Sequence, residues 1–205
     1  MIATVDHSAP LAIACVILAA GAGSRFGEPK GGAELRPGVR FVDAVAETAR
    51  TAGAAPVIVV APPGLPLPTG TIGVTNPDPR GEQIQSLRLG LAQLVSVAVG
   101  GALAWPVDHP FVDVAAVRSI MDAAKRTGAP IVLPVFEGRR GHPVYFSRDC
   151  WRDLATVREG GARAVVHSRA AEIVEVSVNN IGVVRDIDTR ADMANGQGAS
   201  GNAVS

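Results

Sequence analysis

The stretch VILAAGAGSRFGEPK, residues 16–30, joins an apolar run to a glycine-rich loop that also contains an arginine and a lysine. The residues from Ala12 to Leu18 are all apolar, which is typical of an interior parallel strand. Glycine lets the backbone approach a ligand closely, and backbone amides then donate to phosphate oxygens. The stretch therefore predicts an α/β fold with an anion site at the end of its first strand.

The rest of the chain continues this pattern, because β-branched runs alternate with Ala- and Leu-rich segments of helical length. Further strands are predicted at 56–61, 71–75, 102–106, 130–136, 143–146 and 173–178. Helices are predicted at 40–52, 83–97, 114–126, 148–157 and 162–167, with Gly53 and Gly128 ending two of them. We expect one domain over residues 11–194, with flexible tails at 1–10 and 195–205.

The composition is that of a globular protein without a strong overall field. Among 205 residues, 19 Lys and Arg balance 19 Asp and Glu, so no nucleic acid or membrane partner is expected. No apolar run approaches the roughly 20 residues that a membrane helix needs, and the run at 11–20 lacks the basic flank of an export signal. Cys15 and Cys150 form no CxxC pair, which favours a reduced, cytoplasmic protein, with a single disulfide as the alternative.

The glycine loop must be distinguished from two better known phosphate loops. Gly21, Gly23 and Gly27 come close to a dinucleotide fingerprint, but the second strand ends in VIVVAPP and offers no acidic residue to bind a ribose. A Walker A loop needs a lysine directly after its last glycine and then a hydroxyl, whereas here EPKG follows Gly27. A glycine-rich surface turn remains the plain alternative.

The residues LAAGAGSRFGEPK closely resemble the L-A-A-G-x-x-x-R-x-G-x-x-K signature of nucleotidyltransferases related to the molybdenum cofactor enzymes, the MobA-like NTP transferase family. The resemblance implies a Rossmann-like, three-layer α/β/α sandwich with a mixed, mainly parallel sheet, as in the nucleotide-diphospho-sugar transferases. It also implies that the backbone from Leu18 to Gly21 holds the base and ribose of a nucleoside triphosphate, while Arg25 and Lys30 reach its phosphates. A helix end alone offers only about half a unit of positive charge, so these cations and a metal would balance the triphosphate.

The stretch ALAWPVDHPFV runs a predicted strand into Asp108. Ligands of open α/β sheets bind beyond the carboxyl ends of the strands, so we expect Asp108 to meet the glycine loop. The stretch is similar to the VDxP or GDxP element of the family, which implies that Asp108 holds magnesium. A cap on the helix that begins after Val112 is the alternative role.

The stretch VVRDIDTRADM places Asp186 and Asp188 on one face of an extended segment. It resembles the D-I-D-T-x-x-D element that closes the family's core, which implies Asp188 as the second metal ligand, with Asp186 as its substitute. Asp192 is expected to cap or to form an ion pair. Two carboxylates with triphosphate oxygens and water suit Mg²⁺, the expected cofactor.

Two further stretches resemble family elements that line the substrates. NPDPRGEQIQSLRLGL matches the end of the family's G-Q-x-x-S-L-x-x-G-L segment, except that Glu82 replaces a glycine, and RRGHPV resembles the RGHPV element of molybdenum cofactor cytidylyltransferases. The second match implies that Arg140 and His142 contact the acceptor, although a charged hairpin tip would explain the same residues. The nucleotide-binding residues implied overall are Leu18, Ala19, Ala20, Gly21, Gly23, Arg25, Lys30, Gln83 and Ser86.

These motifs follow one another in the order that the family shows. They predict an enzyme that moves a nucleoside monophosphate from CTP to a phosphorylated acceptor such as molybdopterin and releases pyrophosphate, with Arg25, Lys30 and Asp108 in catalytic roles. A molybdoenzyme is a further expected partner. The alternatives are GTP as donor, phospholactate or another small phosphate as acceptor, a nicotinamide- or flavin-dependent oxidoreductase, and a non-catalytic nucleotide-binding protein that assists molybdoenzyme maturation.

Overall fold

A mixed sheet of mainly parallel strands forms the centre of the protein in a computed structural model that describes residues 12–21, 29–78, 82–189 and 191–193. Its strands, with those of a small hairpin, are β1 (Ala12–Leu18), β2 (Glu34–Arg36), β3 (Val39–Arg40), β4 (Val57–Ala61), β5 (Ile72–Thr75), β6 (Val99–Pro106), β7 (Ile131–Phe136), β8 (Arg139–Arg140), β9 (Val144–Ser147) and β10 (Ile173–Ser177). The α-helices are α1 (Phe41–Ala52), α2 (Gln83–Ala92), α3 (Val114–Thr127), α4 (Trp151–Thr156) and α5 (Gly161–Ser168). The expected tails lie outside the described residues.

The order of the strands in the sheet is β10-β7-β9-β6-β1-β4-β5, and β8 pairs with β7. β1 is parallel to both of its neighbours, β4 and β6, and β4 is parallel to β5. β9 runs antiparallel to β6 and β7, between which it lies, and β10 is parallel to β7. The sheet is therefore mixed and mainly parallel, as expected.

Helices cover both faces of the sheet. The core on one face packs α1 and α3 against the sheet, with Phe41 and Trp105 among its largest fully buried side chains. The core on the other face contains Ile84, Leu87 and Leu91 of α2 and Leu94 just after it, together with Leu154 of α4 and Val165 of α5. The predicted three-layer arrangement is confirmed.

Helix ends agree with the sequence where a glycine marks them. Gly53 and Gly128 adopt left-handed conformations, with φ of 98° and 66°, and end α1 and α3 as predicted. The segment predicted as helix over 83–97 instead leaves the α-helix at Ala92. There, the amide of Gln93 bonds to Gly90 O and that of Leu94 to Leu91 O, a tighter winding of the chain.

Three short features were not predicted or differ from prediction. The predicted helix at 148–157 consists of a 3₁₀ turn, Arg148–Cys150, followed by α4. The β2–β3 hairpin and β8 have only two or three residues per strand, too few to produce a recognisable alternation of apolar residues.

Both cysteines lie in the interior as free thiols, so the alternative of a disulfide between Cys15 and Cys150 is wrong. Burial raises the pKa of the Cys15 thiol and keeps it neutral. Within the part of the chain that the structure describes, no helix combines the length and the apolar character needed to cross a membrane.

Candidate active site

The first strand ends beside the strand that leads to the candidate aspartate. β1 and β6 are parallel neighbours, and the amide of Val107 donates to Leu18 O over 3.2 Å. On the opposite side, the amide of Ala19 donates to Val60 O over 2.8 Å. The backbone that leaves β1 is thus fixed next to Asp108, at the edge where open α/β sheets bind ligands.

The structure describes only the start and the end of the expected nucleotide loop. Leu18, Ala19 and Ala20 are buried, and Gly21, where the described part stops, is exposed. Gly23, Arg25 and Gly27 lie outside the described residues. The chain is described again from Pro29 onwards, so Lys30 is the member of the predicted cationic pair whose position is known.

Lys30 joins the two aspartates that the motifs single out. It begins a 3₁₀ turn, Lys30–Gly32, and its Nζ lies 2.5 Å from Oδ1 of Asp188 and 3.8 Å from Oδ2 of Asp108. The three side chains are partly buried, with Lys30 13% exposed, Asp108 28% and Asp188 37%. Three motifs that are far apart in the sequence therefore form one charged cluster with one more negative charge than positive charges.

Asp108 is not the cap of the following helix. That role belongs to Asp113, whose Oδ1 accepts the amide of Ala116 at 2.7 Å at the start of α3. The backbone oxygen of Asp108 accepts the amide of Ile187 at 2.9 Å, which ties the Asp108 segment to the residue just before Asp188. The side-chain Oδ1 of Asp108 is buried without a hydrogen-bond partner among the described residues, so it remains available to a ligand.

A closed turn orients Asp188. Oδ2 of Asp192 accepts the amides of Asp188 and Thr189, at 3.1 and 2.7 Å, and the Thr189 hydroxyl at 2.8 Å. The Thr189 hydroxyl, with these amides, lowers the pKa of the Asp192 carboxyl, so it stays ionised and holds the turn. Asp186 is exposed and forms no ion pair within the described part of the chain, whereas Asp188 reaches Lys30.

The pair formed by Asp108 and Asp188 fits a divalent cation by the chemistry of its donors. Carboxylate oxygens are the hard ligands that Mg²⁺ and Mn²⁺ prefer, and one oxygen of each residue already lies within 3.8 Å of the same ammonium nitrogen. The described residues contain no group of three or more His, Cys, Asp and Glu side chains suited to a metal ion. The remaining ligands would therefore be substrate oxygens and water.

A cavity of about 870 Å³ lies between the sheet and the helices of one face, and Leu18 and Pro106, at the ends of β1 and β6, line it. Its floor is apolar and is formed by residues of four strands, namely Leu18, Ala104, Leu133, Val144 and Phe146. Polar residues border it, namely Gln83 at the start of α2, Arg140 and His142 before β9, and Arg163 and His167 on α5. Both predicted acceptor residues thus face one cavity.

A pair of histidines connects this cavity to the aspartates. The rings of His142 and His109 are 4.8 Å apart between centroids. Nδ1 of His109 donates to Gly182 O at 3.3 Å, and its Nε2 lies 3.9 Å from Oδ1 of Asp108. Burial, and secondly the charge of His109, lowers the pKa of His142 to about 4, so His142 is neutral at physiological pH. Its buried Nδ1 has no hydrogen-bond partner in the described residues.

The turn that presents His142 depends on a close backbone approach. The amide of His142 donates to Val183 O at 2.7 Å, and a Cβ on Gly141 would overlap that same oxygen. Only glycine fits this position. Arg140, one residue earlier, is exposed and forms an ion pair through Nε with Glu175 at 2.7 Å, which leaves its terminal nitrogens for a second anion.

Gln83 and Ser86 have different surroundings although both belong to α2. Gln83 is exposed and lines the cavity. Ser86 is buried, and its hydroxyl accepts Nδ2 of Asn76 at 3.0 Å. The backbone N–H of Asn76 also donates to Ala61 O at 2.9 Å. The two bonds of Asn76 together fix the segment after β5 against α2.

Several residues at the site were not identified from the sequence. His109 follows Asp108 directly, but a single histidine gives no signal without a known neighbour. Arg163 and His167 are four positions apart, a spacing that places both on one face of a helix and that was present in the sequence. Asn76 is a buried polar residue whose importance depends on a contact across the fold.

Comparisons with known proteins identify the family and the fold of this chain. The family model described as "MobA-like NTP transferase domain" matches residues 15–174. No curated protein matches the chain. The match ends before Asp188, so the position of that residue rests on the structure.

Solved structures share the fold over nearly the whole chain. Rv0371c from Mycobacterium tuberculosis H37Rv has a TM-score of 0.78 at 27% identity and covers 92% of this chain and 98% of its own. The same protein in complex with manganese has a TM-score of 0.72 at 26% identity, with the same coverage of 92% and 98%. Molybdopterin-guanine dinucleotide biosynthesis protein A from Archaeoglobus fulgidus, at 15% identity, shares the fold with a TM-score of 0.67 over 90% of this chain and 96% of its own. Because the family model spans most of the sequence and the fold agrees, this chain belongs to the family of MobA-like NTP transferase domains.

Proposed function

We propose that this protein transfers a nucleoside monophosphate from CTP to a phosphorylated acceptor such as molybdopterin and releases pyrophosphate. Membership of the NTP transferase family supports the reaction class. The contact of Lys30 with both Asp108 and Asp188 at the end of the glycine loop is the observation that carries the proposal. It brings cationic and metal-binding groups to the place where the triphosphate would lie.

In this proposal the nucleotide occupies the edge of the sheet where β1 ends. The backbone from Leu18 to Gly21, together with Gly23, approaches the base and ribose. Gln83 and Ser86 line the same nucleotide site from α2. Arg25 and Lys30 bind the phosphates, because fixed cations there stabilise the negative charge that develops on departing pyrophosphate. Ser86 acts through Asn76, since its hydroxyl already bonds to that side chain.

Asp108 and Asp188 would hold Mg²⁺, with Asp186 as the alternative second ligand. The two carboxylates lie close to the same ammonium group, and Oδ1 of Asp108 is buried without a hydrogen-bond partner among the described residues. Both observations are consistent with such a site. When bound, the ion would neutralise phosphate charge and polarise the α-phosphate. Manganese in the structure of a protein 26% identical supports a divalent metal.

The reaction itself needs little acid–base help from the protein. An oxygen of the acceptor phosphate attacks the α-phosphorus, a new phosphoanhydride bond forms, and the bond between the α- and β-phosphates breaks to release pyrophosphate. The attacking oxygen is already deprotonated at neutral pH, so positioning and charge compensation suffice. Arg140 and His142 would orient the acceptor, with His142 acting as a neutral hydrogen-bonding group.

The decisive experiment measures pyrophosphate release with CTP, GTP, ATP and UTP, each with Mg²⁺ and with molybdopterin or phospholactate. We expect release with CTP and molybdopterin. Preference for GTP or for phospholactate would keep the chemistry and change the substrate. Tight CTP binding without release under any condition would indicate a nucleotide-binding maturation factor, and copurification of a nicotinamide or flavin would indicate an oxidoreductase.

We further propose a cytoplasmic location and delivery of the product to a molybdoenzyme. The buried free cysteines are compatible with that reducing compartment.

A further inference from the structure

One wall of the cavity carries an arginine and a histidine that no motif identified. Arg163, Val166 and His167 line the cavity from α5, and their spacing of three and four residues places them on one face of that helix. Arg163 and His167 are exposed, and neither forms an ion pair or hydrogen bond within the described part of the chain. Arg163 therefore has an unused guanidinium beside the cavity.

Three other arginines on this side of the sheet already have partners. Arg140 pairs with Glu175, and Arg169 pairs with Asp153. Arg88 donates to the backbone oxygens of Leu154 and Val157. Of the two arginines that line the cavity, Arg163 is therefore the one whose whole guanidinium has no partner within the described residues.

The backbone around the cavity adds positive potential. α2 and α5 both begin at its edge, since Gln83, Gly161 and Ala162 line it. Neither helix has a side chain bonded to its first amides among the described residues. Free amides at a helix start attract anions. Glu82 is the one carboxylate among the described lining residues, and it lies at the start of α2.

The other surfaces of the cavity are apolar. Leu133, Val144 and Phe146 form its floor below α5, and all three are buried. A volume of about 870 Å³ is near the upper end of the range in which drug-sized ligands bind. A small phosphorylated acid would cover little of this floor and would gain little from it.

We propose that Arg163 and His167 bind the anionic group of the acceptor, and that the acceptor is a phosphorylated molecule with a bulky body that packs on the apolar floor. This inference rests on the proposed function, because it assigns the part of the cavity that α5 lines to the acceptor of that reaction. Arg163 is the main contributor, since a guanidinium binds phosphate through paired hydrogen bonds. The apolar floor provides the affinity for the body of the ligand, and Arg140 also lines the cavity.

The test uses 1-naphthyl phosphate as a probe, with inorganic phosphate and 1-naphthol as its two halves, and isothermal titration calorimetry as the measurement. The native protein should bind 1-naphthyl phosphate more tightly than either half. Arg163→Gln should weaken that binding about tenfold, as expected for one charge-assisted contact, and His167→Asn should weaken it further in the double variant. Arg126→Gln, an exposed arginine on α3 at the opposite face, is the matched control and should change nothing.

Titration with CTP and Mg²⁺ separates the two proposals. Arg163→Gln should bind CTP as the native protein does. Unchanged affinity of Arg163→Gln for 1-naphthyl phosphate would overturn the inference. A loss of CTP affinity in this variant instead would do the same. Equal affinity of the native protein for inorganic phosphate and 1-naphthyl phosphate would also overturn it. Absence of CTP binding and of pyrophosphate release would refute the proposed function, while the probe would still decide the role of Arg163.

Discussion

The ammonium nitrogen of Lys30 lies 2.5 Å from Oδ1 of Asp188, which fastens the end of the glycine loop to a turn more than 150 residues further along the chain. The carboxylate of Asp108 stands 3.8 Å from the same nitrogen. One cation thus faces two anions. This imbalance is what a divalent ion would correct, and the consequences can be measured without knowing the acceptor.

Replacing Lys30 with methionine removes the only cation that both aspartates contact among the described residues. The two carboxylates then repel each other, and we expect the metal-free variant to lose roughly 1 kcal/mol of stability. Mg²⁺ should raise its Tm more than it raises that of the native protein, because the ion replaces the ammonium group. Lys125→Met, exposed on α3, is the control for thermal unfolding with and without Mg²⁺. Equal responses of the variant and the native protein would contradict a shared cation site.

Asp108→Asn keeps the shape of the side chain and removes its charge. We expect turnover, measured as pyrophosphate release, to fall about a hundredfold or more, because a metal ligand contributes several kcal/mol to such a reaction. The Tm should change little, since Oδ1 has no hydrogen-bond partner within the described residues that the substitution would remove. Asp122→Asn on the exposed side of α3 should leave turnover as it is. Full activity of Asp108→Asn would remove Asp108 from the proposed metal site.

Asp113→Ala should have the opposite effect. Asp113 caps α3 through its bond to the Ala116 amide, and the loss of such a cap costs about 1 kcal/mol. Urea unfolding should detect this loss, while pyrophosphate release at a temperature well below the Tm should equal that of the native protein. A large fall in turnover for this variant would show that the two neighbouring aspartates had been assigned the wrong roles.

His142 should make the protein less stable as the pH falls. Its native pKa is about 4, whereas that of an unfolded histidine is about 6.5, so between these values the unfolded state binds a proton that the native state does not. Stability is complete above about pH 6.5 and declines by about 3 kcal/mol as the pH falls to about 4. Urea unfolding at about pH 7 and about pH 4.5 should show a smaller decline in His142→Asn. An identical decline in both proteins would mean that His142 is not buried in its neutral form.

The sequence predicted the features that depend on local patterns. The apolar run of β1 is confirmed over Ala12–Leu18, and the glycines after α1 and α3 end those helices as predicted. The predicted helix over 83–97 was too long, because α2 ends at Ala92. Leu94 continues the apolar spacing of the helix although the backbone has already tightened there. Apolar spacing reports burial, and here burial extends beyond the helix.

The candidate site was predictable as a set of motifs but not as a geometry. The spacing of Asp186 and Asp188 places both on one face of an extended segment, and the family resemblance ranked Asp188 first, but the contact of Asp188 with Lys30 became visible only in the structure. The contribution of His109 depends on Gly182 and His142, which are distant in the chain. Contacts of this kind arise from the sheet order, which no local pattern specifies.

The reversed direction of β9 has a consequence for how this enzyme class can diversify. In a wholly parallel sheet, the residues that precede a strand sit at the edge remote from the substrates. Reversal brings the entry to β9, and with it Arg140 and His142, to the edge where β1 and β6 end. In the proposed reaction, the hairpin between β7 and β9 would be free to change length and composition to suit a new acceptor, while β1, β4 and α2 would continue to receive the same nucleotide.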